Sequence, residues 1–497
     1  MTTSDPDPVS WSSAQQAARR RIAVIGSGVA GLTAAHILTP HAEVRIFEAD
    51  DRLGGHAHTH QVPMPDGRIV PVDSGFIVHN DRTYPTLLRL FDELKVPTQD
   101  TDMSMSVRSE LTGLEYAGAL GFSGLFPTVT TLTHGRYLVM LGEVVRFHRA
   151  ARRLLDSSDS DISLADFVAR HRFSDYFREN FLLPLVAAVW SCDSDVAASY
   201  PARYLFTFLD HHGMLSVFGS PTWRTVVGGS ATYVAAIAER VRDHGGTVLT
   251  SSPVARVVDT GSGIDIHCVD IHGGTSGSES VQSFDAVVIA THPHQALSML
   301  DAPTDLQSRV LGAIPYSTKP AVLHTDLSLM PHARRAWASW NYQIRSDGPQ
   351  LTDPQSTGRL GSGLPDGGSL DGSGVAVTYD LTRLMRLSTD HPRMLVTVGR
   401  TDLVDPAAVI AEMTYEHPVY TRESVAAQSL LPRINTERVA FAGAYHGWGF
   451  HEDGALSGAR AAQALGVTWG AALNGPVADE PVHQEPIPEK PVAQEPV

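Results

Sequence analysis

The sequence predicts an α/β protein in which a parallel-sheet domain, written in separated pieces, carries a second lobe of mixed helices and strands. Three observations predict it. A β-rich run at residues 21–26 turns through glycine into an Ala/Leu helix that Pro40 stops, and a second strand follows at 43–48. Much later, 284–290 and 438–443 again read as short buried strands running into turns, with strand material at 247–258 and a small-residue helix at 454–465. The 497 residues amount to about three domain equivalents at roughly 150 each, enough for a large two-lobed molecule.

Taken in order, residues 1–20 are rich in Ser, Thr, Asp, Gln and Ala and read as a disordered leader. Residues 21–110 hold the first part of the sheet domain, and 111–225 begin the second lobe with helical and mixed patterns. The sheet domain returns at 226–300 and the second lobe at 301–430, with a flexible Gly/Ser/Pro/Asp insertion at 346–374. Residues 431–470 close the sheet domain, and the Pro/Glu repeats of 471–497 form a disordered tail that buries no face. The most apolar run, 181–190, is ten residues long and broken by Pro184, which reads as core and not as a membrane span.

Composition excludes several function classes. Apolar residues at 42% and charged residues at 19% describe an ordinary soluble chain. The net charge of −16 argues against nucleic acid as a partner. Two cysteines, Cys192 and Cys268, without a CxxC pair build neither a disulfide framework nor a cysteine-rich zinc site, which fits a reducing cytoplasm. Arg19, Arg20 and Arg21 are not followed by a signal-type apolar region, so no secretion signal is read and the expected location is cytoplasmic.

The chemistry begins at Gly26-Ser27-Gly28-Val29-Ala30-Gly31, between a strand and a helix. Gly26 permits the tight turn, Gly28 lets backbone approach a pyrophosphate, and Gly31 lets helix and strand pack closely. Glu48 stands 17 residues beyond Gly31 at the end of the second strand, where a carboxylate accepts hydrogen bonds from both hydroxyls of an adenosine ribose. This is a Rossmann-type dinucleotide site, and the bare carboxylate disfavours NADP. Asp50-Asp51-Arg52-Leu53-Gly54-Gly55-His56 then supplies a cation and bare backbone N–H groups for a pyrophosphate, favouring FAD; the plainer alternative is a surface turn. Residues 441–460 run from a strand into a small-residue helix whose N-terminus suits a flavin pyrimidine.

The 26–31 fingerprint, Glu48, Arg52-Leu53-Gly54-Gly55 and the 443–458 segment resemble the FAD-dependent amine oxidase superfamily, which includes amine oxidases, protoporphyrinogen oxidase and carotenoid desaturases. Residues 72–78, 80–85, 223–226, 322–326 and 336–342 resemble one bacterial branch of predicted NAD/FAD-binding oxidoreductases, so that the likeness spreads over about 21–466. That branch is often encoded beside enzymes resembling cyclopropane-fatty-acyl-phospholipid synthases, and plant cyclopropane synthases carry a similar flavoprotein domain fused in front. The resemblance therefore implies an amine-oxidase-like fold: a discontinuous Rossmann-type FAD-binding domain with a mixed α+β substrate lobe. It also implies lipid acyl chains as substrate and a cyclopropane-synthase-like methyltransferase as partner. It implies FAD contacts at Gly26, Ser27, Gly28, Val29, Ala30, Gly31, Glu48, Ala49, Arg52, Leu53, Gly54, Gly55, His56, Ser74, Gly75, Val254, Gly443, Asp453, Gly454, Ala455 and Ser457. The chain departs from the branch at His446, where an aromatic is usual, and in its extra glycine-rich insertion around 361–374.

The remaining candidates have a plainer reading beside the functional one. His56, His58 and His60 alternate as metal ligands on a strand would, but following two glycines they are expected along the flavin, and no metal is expected. Asp73-Ser74-Gly75 is either a flavin contact or a turn before a strand. Tyr445, His446 and Trp448 ahead of Phe450-His451 suit the walls of a channel, with core packing the alternative for Trp448 and Phe450. His446 and His451 are the proton-transfer candidates because imidazole titrates near neutrality, and Asp453 is read as a helix cap. Lys319 has two readings, a counterpart of the flavin-facing lysine in amine oxidases or, without a matching context in Tyr316-Ser317-Thr318-Lys319-Pro320, a surface residue, and it is read as the second; Trp190-Ser191-Cys192 is read as lining or core. Arg136, Arg146, Arg149, Arg152 and Arg153, with Leu138, Leu141 and Val145 at helical spacing, make either a face for peripheral membrane contact or, more plainly, a solvated helix.

The expected function is flavin-dependent dehydrogenation, reduction or double-bond isomerisation of unsaturated or modified fatty acyl chains. The alternatives are oxidation of an amine and a flavin-binding partner of a lipid methyltransferase.

Overall fold

The computed structural model describes residues 19–158, 162–190, 194–216, 220–269, 279–345 and 376–470. The leader up to residue 18, the 346–374 insertion, Cys192 and the 471–497 tail lie outside the described residues.

Five short strands form one parallel sheet in the order Thr247–Leu249, Ala42–Phe47, Arg20–Ile25, Ala286–Ile289, Val439–Phe441. A parallel sheet covered on both faces needs strands that are apolar throughout, and Ile22, Ala23, Val24 and Ile25 are all buried. Alternation divides them between two cores. Ile22 and Val24 face the helical side, and Ala23 and Ile25 face an antiparallel meander of Val254–Asp259, Ile264–Val269 and Glu279–Phe284.

On the helical side Val29–Leu38 is buried at every residue, because His451–Ala464 and Ala231–Asp243 pack over it. Small residues make the first of these approaches close. A Cβ at Gly458 would lie 2.2 Å from the Ala30 carbonyl oxygen, and one at Gly454 would lie 2.6 Å from the Val29 side chain.

The second lobe is built on a seven-stranded sheet in the order Val409–Pro418, Tyr316–His324, Leu395–Gly399, Ala376–Asp380, Trp340–Ile344, Met105–Ser109, Glu115–Ala117. Its neighbours are antiparallel except Trp340–Ile344 with Met105–Ser109. The chain thus joins this sheet at Met105, inside the 21–110 segment that the sequence assigns to the sheet domain. That strand pairs locally with Glu115–Ala117, but the partner that ties it into the sheet, Trp340–Ile344, is distant in the chain, so no local pattern betrays it. A helical layer that includes Gly135–Leu155, Leu164–Arg170, Leu183–Trp190 and Ala202–His211 covers one side with an aromatic core of Phe147, Phe167, Phe177, Phe206 and Phe208.

Candidate functional site

The dinucleotide turn is tied to the second strand through Glu48. One of its carboxylate oxygens accepts the backbone N–H and hydroxyl of Ser27 at 2.8 and 2.5 Å, and the other accepts the Asp50 N–H at 3.0 Å. The next loop folds back on the first: the Gly54 N–H donates to both the carbonyl and the hydroxyl oxygen of Ser27 at 3.1 Å, and Arg52 donates to the Gly55 carbonyl at 2.8 Å. Gly54 sits at φ +110°, conformational space that a side chain rarely adopts.

The glycines of the fingerprint have different surroundings. A Cβ at Gly31 would sit 2.0 Å from the Gly26 carbonyl oxygen, whereas one at Gly28 would meet nothing within 4 Å. Gly31 is a packing contact, and Gly28 borders open space. Leu53 packs on the helical-side core, Ala49 is exposed, and Val254 lies against the meander core just after Ser252, whose N–H donates to the Glu48 carbonyl at 2.8 Å.

That open space is a cavity of about 270 Å³ between the two lobes. It brings together Gly28, Val29, Ala30, His56, Ser74, Gly75, Gly443, Tyr445, Trp448 and His451 from the sequence candidates. It leaves Gly26, Ser27, Gly31, Glu48, Ala49, Arg52, Leu53, Gly54, Gly55, Val254, His446, Asp453, Gly454, Ala455 and Ser457 outside its lining. Several of these hold the lining in place. The Gly443 N–H donates to the Ser457 hydroxyl at 2.9 Å, and Asp453 accepts the Phe450 N–H at 2.9 Å as a helix cap. Glu452 caps a different helix, Pro85–Leu94, accepting the N–H groups of Thr86 and Leu87 at 3.0 Å each. The Gly447 carbonyl accepts from Tyr204, Tyr420 and Gln428, which fixes the turn that carries Trp448.

The histidines do not behave as free imidazoles. His451 stacks on Phe76 with ring centres 3.7 Å apart and has Nε2 3.2 Å from the Tyr233 hydroxyl. Desolvation drives both His446 and His451 down to about 3, so each is neutral at neutral pH. The property that recommends them as proton carriers in the sequence, titration near neutrality, is removed by burial. His446 also lies off the cavity, its ring against Tyr445, because the turn Ala444–His446 points successive side chains in different directions. Burial likewise pushes Asp453 up to about 7.

Of the alternating histidines only His56 enters the cavity. His58 and His60 pair with each other at 4.0 Å, with His60 Nε2 2.7 Å from the Ser74 hydroxyl and that hydroxyl 2.7 Å from Tyr415. Among the described residues one group brings potential metal ligands together, and it is a different trio: His292, His294 and Glu416, with ligand atoms within 4.8 Å of one another.

Much of the cavity wall comes from residues that the sequence does not single out. Tyr415, Glu416 and His417 arrive on the long strand Val409–Pro418, Phe208 on Ala202–His211, with His212 just past its end, and Trp340 and Tyr379 on the large sheet. The alternation of Met413, Tyr415 and His417 along one strand is the signal that was available. Lys319 is a correction. It is buried at 3% exposure on the strand Tyr316–His324, paired there with Tyr415 of Val409–Pro418.

The cavity fits FAD on two observations. Gly28 leaves space where a side chain would intrude, and buried polar atoms around the lining, His56 Nε2, His417 Nδ1 and the Tyr445 hydroxyl, have no hydrogen-bond partner among the described residues. Gly28, Val29, Ala30, His56, Ser74, Gly75 and Gly443 would hold the cofactor there, with Glu48 and Arg52 fixing the loops behind them.

A parallel dinucleotide sheet, a second lobe and an aromatic cavity between them define a two-lobed flavoprotein. Residues 29–325 match the family described as flavin containing amine oxidoreductase, and the chain belongs to that family. It is similar to the flavin-dependent L-tryptophan oxidase of Lentzea aerocolonigenes, 24% identical over 403 residues that cover 72% of this chain and 71% of the relative. Its fold is similar to that of cyclohexylamine oxidase from Brevibacterium oxydans, with a TM-score of 0.61 and 18% identity over 90% of this chain and 98% of the other. The CLA-producing fatty acid isomerase from P. acnes has a TM-score of 0.57 and 15% identity over 88% and 97% of the two chains. The protein is an FAD-dependent oxidoreductase.

Proposed function

We propose that the substrate is an uncharged hydrophobic molecule, specifically an unsaturated or modified fatty acyl chain, which is dehydrogenated, reduced or isomerised at a double bond. The observation that carries this reading is the chemistry of the wall. Met103, Val189, Trp190, Phe208, Met214, Trp340, Tyr379, Val398, Trp448 and Phe450 line the cavity, with neither lysine nor arginine among the lining residues. Its one carboxylate, Glu416, is engaged by His292 at 2.7 Å. A carboxylate-bearing substrate would find no cation there, and a charged ammonium no free anion, whereas an acyl chain gains from apolar contact throughout.

Bound FAD supplies the acceptor and donor of hydride. The chain's own residues would hold the cofactor at the fingerprint end of the cavity through Gly28 to Ala30, line the opposite end with apolar side chains, and keep His212 and His451 neutral, so that the one charged group of the wall is Glu416, already paired with His292. The likeness to a fatty acid isomerase fold supports the same reading. The resemblance to a branch found beside cyclopropane-synthase-like enzymes adds that the lipid is one such a methyltransferase also handles.

A second reading, oxidation of an uncharged amine, is supported by the similarity to an L-tryptophan oxidase and a cyclohexylamine oxidase. Anaerobic flavin spectroscopy separates the two. The purified flavoprotein is mixed with acyl phospholipids and with a panel of amines, and the double-bond positions of the recovered lipid are analysed. Bleaching of the oxidised flavin band by lipid, or shifted double bonds without bleaching, is the expected result. Bleaching by amines alone replaces the first reading with the second, and a flavin unresponsive to both, with unchanged lipid, leaves the role of partner to a lipid methyltransferase.

A further inference from the structure

Thirteen large hydrophobic side chains are exposed among the described residues, and six of them fall within 24 residues of chain: Phe122, Val129, Leu132, Leu138, Val139 and Val145. Scattered singly such residues need no explanation, but this clustering does. They lie on three consecutive helices, Gly121–Leu125, Val129–Thr133 and Gly135–Leu155, and the most exposed are Phe122 at 71% and Val129 at 78%. The long helix already has a core face in Tyr137, Met140, Phe147, Ala150, Ala151 and Leu154, so its outward Leu138, Val139 and Val145 are a second apolar stripe with no core to bury it. Leu141, by contrast, packs partly into the core.

Charge says what covers the stripe. Residues 121–155 carry five arginines, Arg136, Arg146, Arg149, Arg152 and Arg153, all exposed, against the single acid Glu143, on a chain whose net charge is −16. Glu143 is itself engaged, accepting from the backbone and hydroxyl of Ser174 and from Arg146. A second copy of the chain meeting this face symmetrically would set arginines against arginines. An anionic bilayer matches both properties, since apolar side chains enter the acyl boundary while arginines meet the headgroups.

We propose that this three-helix face docks the protein peripherally on an anionic lipid surface, with the helix Gly135–Leu155 lying in the plane of the interface. No helix among the described residues is long and apolar enough to cross a membrane, so the contact is one of surface and not of insertion. The docked helix packs against Ala202–His211, whose Phe208 lines the cavity, so one helix separates the lipid surface from the substrate wall. The inference stands apart from the substrate reading, because binding is measured without turnover.

The test is co-sedimentation of the full flavin-bound protein with vesicles of phosphatidylcholine alone and of phosphatidylcholine mixed with phosphatidylglycerol. Pelleting with the mixed vesicles, weakened by salt, is expected. The pair Arg149→Ala and Arg153→Ala weakens binding about fivefold per arginine, and Val129→Ser with Val139→Ser weakens it at least tenfold, both with flavin content unchanged. The salt series on the unaltered chain tests the electrostatic part whatever the variants do. Failure of the unaltered protein to pellet with the mixed vesicles overturns the proposal. So does equal binding by the variants, or a dimer in sedimentation velocity that Val139→Ser dissociates.

Discussion

The two sides of the cavity are held by different kinds of bond. On the fingerprint side, Gly26 to Gly31, Glu48 and Gly54 are fixed by hydrogen bonds among backbone groups and short side chains, over distances of 2.5–3.1 Å. On the substrate side, the turn that carries Trp448 and Phe450 is held by hydrogen bonds at Gly447 and Phe450, but the side chains of Phe208, Phe450 and Trp448 meet by ring packing, Phe208 and Phe450 stacking at 4.8 Å. Backbone geometry admits few residue types at each position, whereas packing admits many combinations of similar volume. The fingerprint side is therefore built to hold one cofactor, and the opposite wall can be re-cut for a new substrate.

The sharpest way to break this contrast lies within the fingerprint. Gly31→Ala pushes a Cβ to 2.0 Å from the Gly26 carbonyl oxygen, so the helix must shift, at a cost of about 3 kcal/mol and with loss of flavin. Gly28→Ala puts its Cβ into open space, so thermal denaturation of the apoprotein is expected to move little while the flavin dissociates. Equal destabilisation by the two would show that Gly28 is a packing residue as well. Glu48→Gln removes a charge-assisted acceptor for Ser27 and for the cofactor, and flavin titration should give a dissociation constant raised about tenfold or more.

Acid probes the buried histidines, of which His212, His417 and His451 line the cavity. Eight histidines, among them His212, His417, His446 and His451, are held by burial at about 3 or 4. A histidine depressed in the folded state contributes its stability above an unfolded value of about 6.5 and loses it as the pH falls towards the folded value. Asp73 and Asp453, raised to about 6 and 7, and Asp380 and Glu452, also raised by burial, act in the opposite sense and gain as the pH falls, but they are four against the eight and four further depressed histidines, His36, His56, His60 and His171. Chemical denaturation should show lower stability at pH 5 than at pH 7, with His212→Asn reducing that difference by about 2 kcal/mol. A flat profile would place these imidazoles in contact with solvent. The smallest effect is expected from Phe208→Leu, about 1 kcal/mol in stability with flavin content unchanged, and a change in which acyl chains are turned over.

The same contrast explains what was legible. Gly26, Gly28, Gly31, Glu48 and the Arg52 to Gly55 turn stand within 30 residues of one another, and each residue type answers a backbone or charge requirement that can be stated without coordinates. The parallel sheet was legible for a related reason, since buried strands such as 286–289 are unbroken apolar runs. The wall was legible only in Trp190, Tyr445, Trp448 and Phe450, because Phe208, Tyr379, Tyr415 and His417 join them through tertiary packing and have ordinary neighbours in sequence. The burial of Lys319 is illegible for the same reason, as no local pattern shows what packs over a lysine. His446 and His451 stand out in the sequence by the chemistry of free imidazole, and desolvation is not a property of the residue type.

The close seating of Gly458 on Ala30 bears on how the protein is made. The ribosome delivers the helix His451–Ala464 roughly four hundred residues after the helix it covers, on the order of tens of seconds at ordinary elongation rates. Until then the nascent fingerprint helix has one apolar flank without its cover, and the Gly443 turn is missing from the cavity. Flavin capture is thus a late, post-translational event, and a product released early from the ribosome would be a client for chaperones in place of a partial enzyme.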